Sequence, residues 1–498
     1  MKLKLLLLCL LPLQIFSQVQ IPGDLHDPID KFEDSISSTL YSSILPITDT
    51  KLKFNDIYIK SSWNSKYARG YNDGAVWKGK GLTNEIHGGF SGRIGALTYV
   101  FNPVVFYSDN ETFPIPNLQS NTNRHAYPYS DRIDWVQRFG NGSFVQPHLG
   151  QSELRYNYGK LIAAIGTQNY SLGPAVYNPI IMSRQAGGFP HLRIGLKPTF
   201  LTSKKKIARI EANFMLGHLT ESEYFDTINK NNDRYLNGLF VAITPSILPN
   251  LTIGINRVLY KQNRYFRPVD LLSTIYIADD GIIDGDTLSR NDAFDQLASF
   301  TVEWKFREIG FRAYLEYAKN DFTSDGAGIR QTAVEPEHSR GYTLGFEKRI
   351  KHKSGAEFHL TYEHTNLSIG RIPWRFTPSF YAHSVNRQGY THEGQIIGAG
   401  IGPGGNSDHL GLRMQMENMS HFILIQRIER DRDYFVKQIR HFILHDIEYS
   451  VSLASQRKFK DKYVLFAETT LSHNYNRNYL FRNDRTNISF GIGGRILL

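Results

Sequence analysis

From about residue 51 to its end the chain is dominated by a two-residue repeat of apolar and polar side chains, the period at which neighbouring residues of a β-strand face opposite ways. Ala298, Phe300, Val302, Trp304 and Phe306 share one face, against Ser299, Thr301, Glu303 and Lys305 on the other. Ala208, Ile210, Ala212, Phe214 and Leu216 stand against Arg209, Glu211 and Asn213 in the same way. Phe311, Ala313, Leu315 and Tyr317 oppose Arg312, Tyr314 and Glu316, and Phe358, Leu360 and Tyr362 oppose Glu357, His359, Thr361 and Glu363. Ile447, Tyr449, Val451 and Leu453 oppose Asp446, Glu448, Ser450 and Ser452. The final segment sets Ile488, Phe490, Ile492, Ile496 and Leu498 against Asn487, Ser489, Gly491, Gly493 and Arg495.

A soluble sandwich of two sheets also alternates. Two features favour a membrane barrel. The apolar faces are rich in aromatic rings along segments of about ten residues, the span of a tilted membrane strand. The polar faces carry ionised groups of both signs, as the inside of a barrel does. The expected fold is therefore all-β, a closed antiparallel outer-membrane barrel over residues 51–498, of about 18 strands at some 25 residues per strand and connection.

The amino terminus follows other rules. Lys2 and Lys4 precede the apolar run Leu5 to Leu13, and Ser17 offers a small residue before Gln18, the pattern of an exported leader over residues 1–18. Between residues 19 and 50, Leu25, Ile29, Phe32, Ile36 and Leu40 recur at helical spacing, which reads either as a short helical segment on the periplasmic side or as an irregular leader packed on the barrel.

Composition narrows the chemistry. With 31 Phe, 28 Tyr and 5 Trp in 498 residues the chain is not disordered. Its one cysteine, Cys9, lies in the leader, which excludes disulfides, thiol catalysis and zinc-thiolate sites in the mature chain. The net charge is +10, and +8 without Lys2 and Lys4. That balance suits anionic surroundings such as lipopolysaccharide or an acidic polysaccharide; export argues against nucleic acid.

Three stretches break the alternation, and on a barrel such stretches are where function sits. They run from Gln168 to His191, from Glu335 to Tyr342, and from Gln388 to Leu410. Glu335, Glu337, His338 and Arg340 crowd ionisable groups as a metal or acid–base site would. On a strand, however, Glu335 and Glu337 face away from His338, so a structural network bracing the lumen is expected, with Arg340 bidentate to a carboxylate. Ser339 beside His338 and Glu337 fails as a triad for the same reason, no G-x-S-x-G elbow is present, and no enzymatic activity or cofactor is expected. The glycines of Gly402 to Asn406 lack the Lys-Ser/Thr ending of a phosphate loop and read as a turn. Asn178, Phe189 and His191 read as structural, Phe189 as a packing anchor.

Sugars are held by aromatic rings against their C–H faces and by planar polar side chains on their hydroxyls. Trp63, Arg69, Tyr71 and Trp77, and Arg371, Trp374, Arg375, Tyr381, Arg387 and Tyr390, combine both in two segments, and an interfacial aromatic girdle is the competing reading of each ring.

The blocks Leu172-Gly173-Pro174, Asn178-Pro179, Ser183 and Ala186 to His191 resemble the signature of the Wzi capsule-assembly outer-membrane proteins. Leu248-Pro249-Asn250-Leu251 with Gly254 to Val258, Asp295 to Ser299, the run from Glu335, and Gly389 to Ser407 continue the resemblance in order. It implies an 18-stranded lectin barrel that holds exported capsular polysaccharide at the cell surface, with a helical plug at the periplasmic mouth and no covalent chemistry. The leader here is shorter than the family's, and Tyr170-Ser171-Leu172 replaces its Trp-Trp pair. A monomeric barrel is expected; a porin-like diffusion channel for small polar solutes is the alternative.

Overall fold

The computed structural model describes residues 19–26, 31–32, 40–42, 50–116, 123–201, 206–275, 294–320, 330, 332–369, 379–441 and 443–498. The expected leader, residues 1–18, lies outside these, as do Ile29 and Ile36 of the expected helical segment. Among the described residues, antiparallel strands form one large sheet that closes into a barrel. The ring is completed where the last strand, Arg485–Ile496, pairs with Ile57–Asn64, placing Phe490 opposite Trp63.

Each alternation read from the sequence becomes a strand with its apolar face outward. Along Asp295–Phe306 the buried positions beyond Leu297 are Ser299, Thr301, Glu303 and Lys305, while Phe300, Trp304 and Phe306 are exposed. The outward residues meet their neighbours in register: Leu82, Trp63, Phe490, Thr469, Leu453, Ile423, Leu412 and Leu360 form one row across eight adjacent strands. Leu453 is 48% and Ile492 55% exposed. An exposed apolar surface this continuous marks an interface, and one that encircles a closed barrel fits hydrocarbon.

Four neighbouring strand pairs are kinked along one line, between Lys53–Phe54 and Ile57–Asn64, Gly81–His87 and Phe90–Ile94, Leu97–Phe101 and Val104–Ser108, and Phe144–His148 and Glu153–Tyr158. Pro103 cannot donate to the ladder there. Side chains stitch the break: Asn55 Nδ2 donates to Asn102 Oδ1 (3.2 Å), and the Asn102 N–H donates to Ser152 Oγ (3.0 Å).

The connections are sorted by length. The short connections between strands, at residues 95–96, 159–160, 201–207, 246–250, 307–310, 352–356, 416–418 and 460–462, lie at the end that also holds the first and last barrel strands' outer termini. Every long connection leaves from the other end, at 65–80, 109–143, 167–190, 221–232, 263–294, 321–339, 367–405, 430–446 and 476–484. Short turns face the periplasm in outer-membrane barrels and long loops face outward.

The lumen is packed. Residues of the 167–190 connection (Leu172, Ile180, Ile181, Met182, Phe189) and of the 367–405 connection (Phe380, Tyr381, Tyr390, Ile396, Ile397) form one core with inward wall residues such as Met215, Leu236, Phe240 and Val258. A chain folded inside a barrel needs partners for its backbone polar groups, and wall charges supply them. Glu363 accepts the N–H groups of Val176 (2.6 Å), Tyr177 (3.1 Å) and Asn178 (2.6 Å) and the Tyr314 hydroxyl (2.8 Å). Glu316 accepts the Ile180 N–H (3.0 Å), and Arg312, held by Glu303 and Glu347 at 2.6 Å each, donates to the Pro174 carbonyl (3.1 Å).

Between residues 19 and 50 the described residues form no helix. Residues 19–26 and 31–32 are turns and extended chain, and Leu40–Ser42 is a strand paired with Tyr170–Leu172. Single apolar contacts join this segment to the barrel interior: Ile21 packs on Tyr58 and Phe466, and Leu25 on Phe422 and Ala454. Lys31 donates to Ser171 Oγ (3.0 Å) and to the carbonyls of Gly173 (2.7 Å) and Ala175 (2.5 Å). Lys31 and the Leu40–Ser42 strand thus tie down the 167–190 connection.

Two outcomes follow. Leu453→Arg, mid-strand on the outer face, should destabilise the protein by about 2–4 kcal/mol when folding into bilayers is titrated with denaturant; a neutral result would mean that water, not lipid, covers this face. Glu363→Ala leaves three N–H groups of the 176–178 stretch without acceptors and should cost at least about 3 kcal/mol, read as a lower thermal midpoint together with conductance events in planar bilayers that the parent lacks.

Candidate functional site

The long-loop end is built on an aromatic cluster. Tyr129 lies 4.6 Å from Tyr434 and 5.2 Å from Tyr479, ring centre to ring centre; Tyr127 lies 5.3 Å from Tyr129 and 5.1 Å from Trp135. Tyr127 and Tyr479 are buried, whereas Tyr129, Trp135 and Tyr434 are half-buried. The cluster joins three connections, 109–143, 430–446 and 476–484. Its anchor is Asp431, which adopts φ +31° and caps the helical turn Arg432–Tyr434 by accepting the Tyr434 N–H (3.0 Å). Asp residues tolerate this left-handed region better than most because their side chain bonds locally. The Tyr127 hydroxyl donates to Asp431 Oδ2 (2.6 Å), and the Tyr479 hydroxyl lies on the Arg430 and Asp431 carbonyls (2.6 and 2.7 Å).

Arginines surround the rings. Arg69 Nε donates to Glu448 (3.0 Å), whose other oxygen takes Arg430 (2.9 Å), and Arg69 also reaches Ser450 (2.9 Å) and Gln426 (3.2 Å). Arg477 stacks on Tyr67 with its guanidinium 3.8 Å from the ring centre. Half-buried rings flanked by paired arginines suit the apolar faces and hydroxyl edges of sugars. Among the described residues no group of three or more His, Cys, Asp or Glu side chains is arranged to hold a metal ion.

The turn at Gly402 to Asn406 packs under this cluster. Gly404, at φ +59°, approaches the backbone and carboxylates of Asp431 and Asp433 so closely that a Cβ would sit 2.9 Å from both side chains. A phosphate would be repelled there, which supports reading these glycines as a tight turn. Burial, then the neighbouring Asp433 charge, pushes the Asp431 carboxyl up to about 7, and burial pushes Asp433 up to about 6.

The residues singled out from the sequence divide into several groups. Trp63 faces outward in the apolar row, as part of the belt. Arg69 braces the loop end as above. Tyr71 donates to Asn178 Oδ1 and lies against His409, and Trp77 donates to Asn110 Oδ1 (3.1 Å) with its ring edge-on to Phe139 (4.8 Å). Tyr381 and Tyr390 are fully buried in the lumen core, where the Tyr381 hydroxyl donates to the Ile180 carbonyl (2.7 Å) and accepts the Ala399 N–H (2.8 Å). A polymer outside the barrel cannot reach either ring. Arg387 is exposed and paired with Asp131. Arg371, Trp374 and Arg375 lie outside the described residues.

Of the expected lumen network, Asn178 and Phe189 do lie inside, Phe189 edge-on to His191 (5.7 Å) and so close to Gly217 that no Cβ fits there. The Glu335–Arg340 stretch corrects its expectation. Glu335, Glu337 and His338 sit in a half-exposed turn at the loop end, and Ser339, at φ +48°, breaks the strand face before Arg340. Arg340 lies over the Tyr342 ring (5.2 Å), on the outward face of Arg340–Lys351. The lumen is braced instead by Glu316, Glu363, Arg312 and Lys31. Tyr129, Trp135, Tyr434 and Asp431 were not anticipated; the dense aromatics of residues 125–135 and the non-alternating run 430–435 were their signal.

A closed, belted barrel with one end of short turns and one of long loops is an outer-membrane β-barrel. A family model described as capsule assembly protein Wzi matches residues 65–493, and the chain belongs to that family of outer-membrane proteins. Among solved structures, Wzi of Escherichia coli, described as an outer-membrane protein involved in group 1 capsule assembly and a carbohydrate-binding β-barrel, superposes with a TM-score of 0.58 at 10% identity, over 88% of this chain and 84% of that one. OccAB4 of Acinetobacter baumannii (TM-score 0.42, 10% identity, 90% of this chain and 99% of that) and OccK7 of Pseudomonas aeruginosa (0.43, 10%, 90% and 98%) also align. A comparison with curated protein sequences gave no match.

The Asp431–Asp433 pair predicts a pH dependence. Carboxyls whose folded values lie above their unfolded value hold protons in the folded state, so the stabilisation is complete below about pH 4 and is lost as pH rises through 6 to 7. The thermal midpoint in detergent should fall over that window and level off above it, and Asp433→Asn should flatten part of the slope while the burial-driven share of Asp431 remains; an unchanged slope would place the titration elsewhere.

Proposed function

We propose that this barrel binds exported capsular polysaccharide without covalent chemistry, at its long-loop face, and anchors or organises it on the cell. The carrying observation is the half-buried cluster of Tyr129, Trp135 and Tyr434 with Arg430, Arg432 and Arg477 beside it, held by three loops over a packed lumen. Membership of a capsule-assembly family and the carbohydrate binding described for Escherichia coli Wzi support the same reading. With each kinked pair of strand segments taken as one crossing, the ring has eighteen crossings. A monomer suffices, because a polymer presents repeated units and many weak contacts accumulate into retention. Arg387, and Arg371, Trp374 and Arg375 in the same connection, are further candidates for polymer contact.

The porin-like alternative rests on the ionised inner faces, but these bond to the backbone of the inserted connections rather than to an open channel. Tyr129→Ala with Tyr434→Ala should weaken binding of purified capsule roughly 5- to 150-fold, at about 0.5–1.5 kcal/mol per ring, and should shift capsule from cells into the medium. Retention equal to the parent's in a folded double variant would refute this site; a steady open conductance of the parent would favour the channel.

A further inference from the structure

The excess positive charge is not at the long-loop end. There the cations are largely matched: Arg69 and Arg430 share Glu448, Arg427 meets Asp408 and Glu429, and Arg387 meets Asp131. At the short-turn end cations outnumber acids, with Lys160, Lys206, Arg307, Lys353, Lys460 and Lys462 exposed against Glu308, Glu417 and Asp461. Several point sideways along the barrel wall. Arg457, on the outward face of Ile447–Phe459, lies 5.1 Å over the Phe459 ring; Lys462 lies 5.8 Å over Tyr463, and Lys206 5.5 Å over Phe200. These rings end the apolar belt, so the cations stand where hydrocarbon gives way to headgroups. Long basic side chains lie along apolar surface with their charge at this level.

We propose that this rim is a binding surface for anionic phospholipid headgroups of the leaflet on the short-turn side. The chemistry required is a phosphate at the edge of the belt, presented laterally, and the arrangement of cation over terminal aromatic supplies it at several points around the ring. Anionic surfaces attract such clusters within a screening length. The surface continues the lipid-facing belt already described and lies at the far end from the proposed polysaccharide face, so each can fail without the other.

The test uses the mature chain in detergent, titrated with mixed micelles of phosphatidylglycerol or phosphatidylcholine, with bound lipids counted by native mass spectrometry. The parent should retain phosphatidylglycerol several-fold over phosphatidylcholine, and the preference should vanish in 0.5 M ammonium acetate. Combined Lys353→Gln, Arg457→Gln, Lys460→Gln and Lys462→Gln should reduce it at least threefold, with folding checked by heat-dependent gel migration. The loop-end control, Arg440→Gln with Arg482→Gln, should leave it intact. Equal retention of the two lipids by the parent, a preference unchanged in the folded rim variant, or equal loss in the control would overturn the proposal. So would a parent that pulls down acidic cell-wall glycan through these residues while showing no lipid preference. Should the rim variant not fold, the salt response of the parent decides alone.

Discussion

The structure depends on how the backbone inside the barrel is satisfied. Described residues of two long connections and of the 19–42 segment are buried inside the barrel, and every N–H and C=O they carry there needs a partner. Strand pairing cannot provide one for an irregular chain. The wall does so with charges: Glu363 and Glu316 collect consecutive N–H groups, while Arg312 and Lys31 collect the carbonyls of Gly173, Pro174 and Ala175. Buried ions are tolerable when each is paired and hydrogen-bonded on several sides, and Arg312 between Glu303 and Glu347 meets that condition. The wall thus fixes the connections' paths, and those paths fill the lumen.

This explains which features were legible in the sequence. Strand faces are a local property, so Phe300, Trp304, Leu453 and Phe490 could be placed on the outside from alternation alone, and the structure puts them there. The inward charges were legible as polar but not as ligands of a backbone, because the partners of Glu363 are 185 to 187 residues away. Alternation cannot report that separation. The same limit misplaced Glu335 to Arg340: a structural network bracing the lumen is the expectation, whereas they form a half-exposed turn that Ser339, at positive φ, ends before Arg340.

The aromatic residues show the limit from the other side. A ring in a loop, a ring in a girdle and a ring in a lumen core have the same sequence surroundings. Tyr381 and Tyr390 stand among polar and glycine residues as a sugar site would, yet both are fully buried, Tyr381 bonded to Ile180 and Ala399, because their connection folds inward. Tyr129 and Tyr434 stand in equally irregular stretches but are held half-buried by Asp431 and Tyr479. Only the path of each connection distinguishes these cases, and that path is set by the wall.

A packed lumen also separates the two ends of the molecule. Loops resting on a fixed core lose little freedom when a ligand arrives, which favours binding by preorganisation, and the Asp431 capped turn is one such fixed point. At the opposite end no connection is longer than seven residues, so the side chains there are placed by strand ends alone and face whatever surrounds the barrel. Because the basic excess lies at that end, overall net charge says little about the ligand at the loops. A polymer docked there as proposed would meet a few rings and paired arginines, whose charge is already answered by Glu448, Glu429 and Asp131. Contacts to a sugar at this face would then draw on ring stacking and hydrogen bonding more than on long-range attraction, and would respond weakly to added salt.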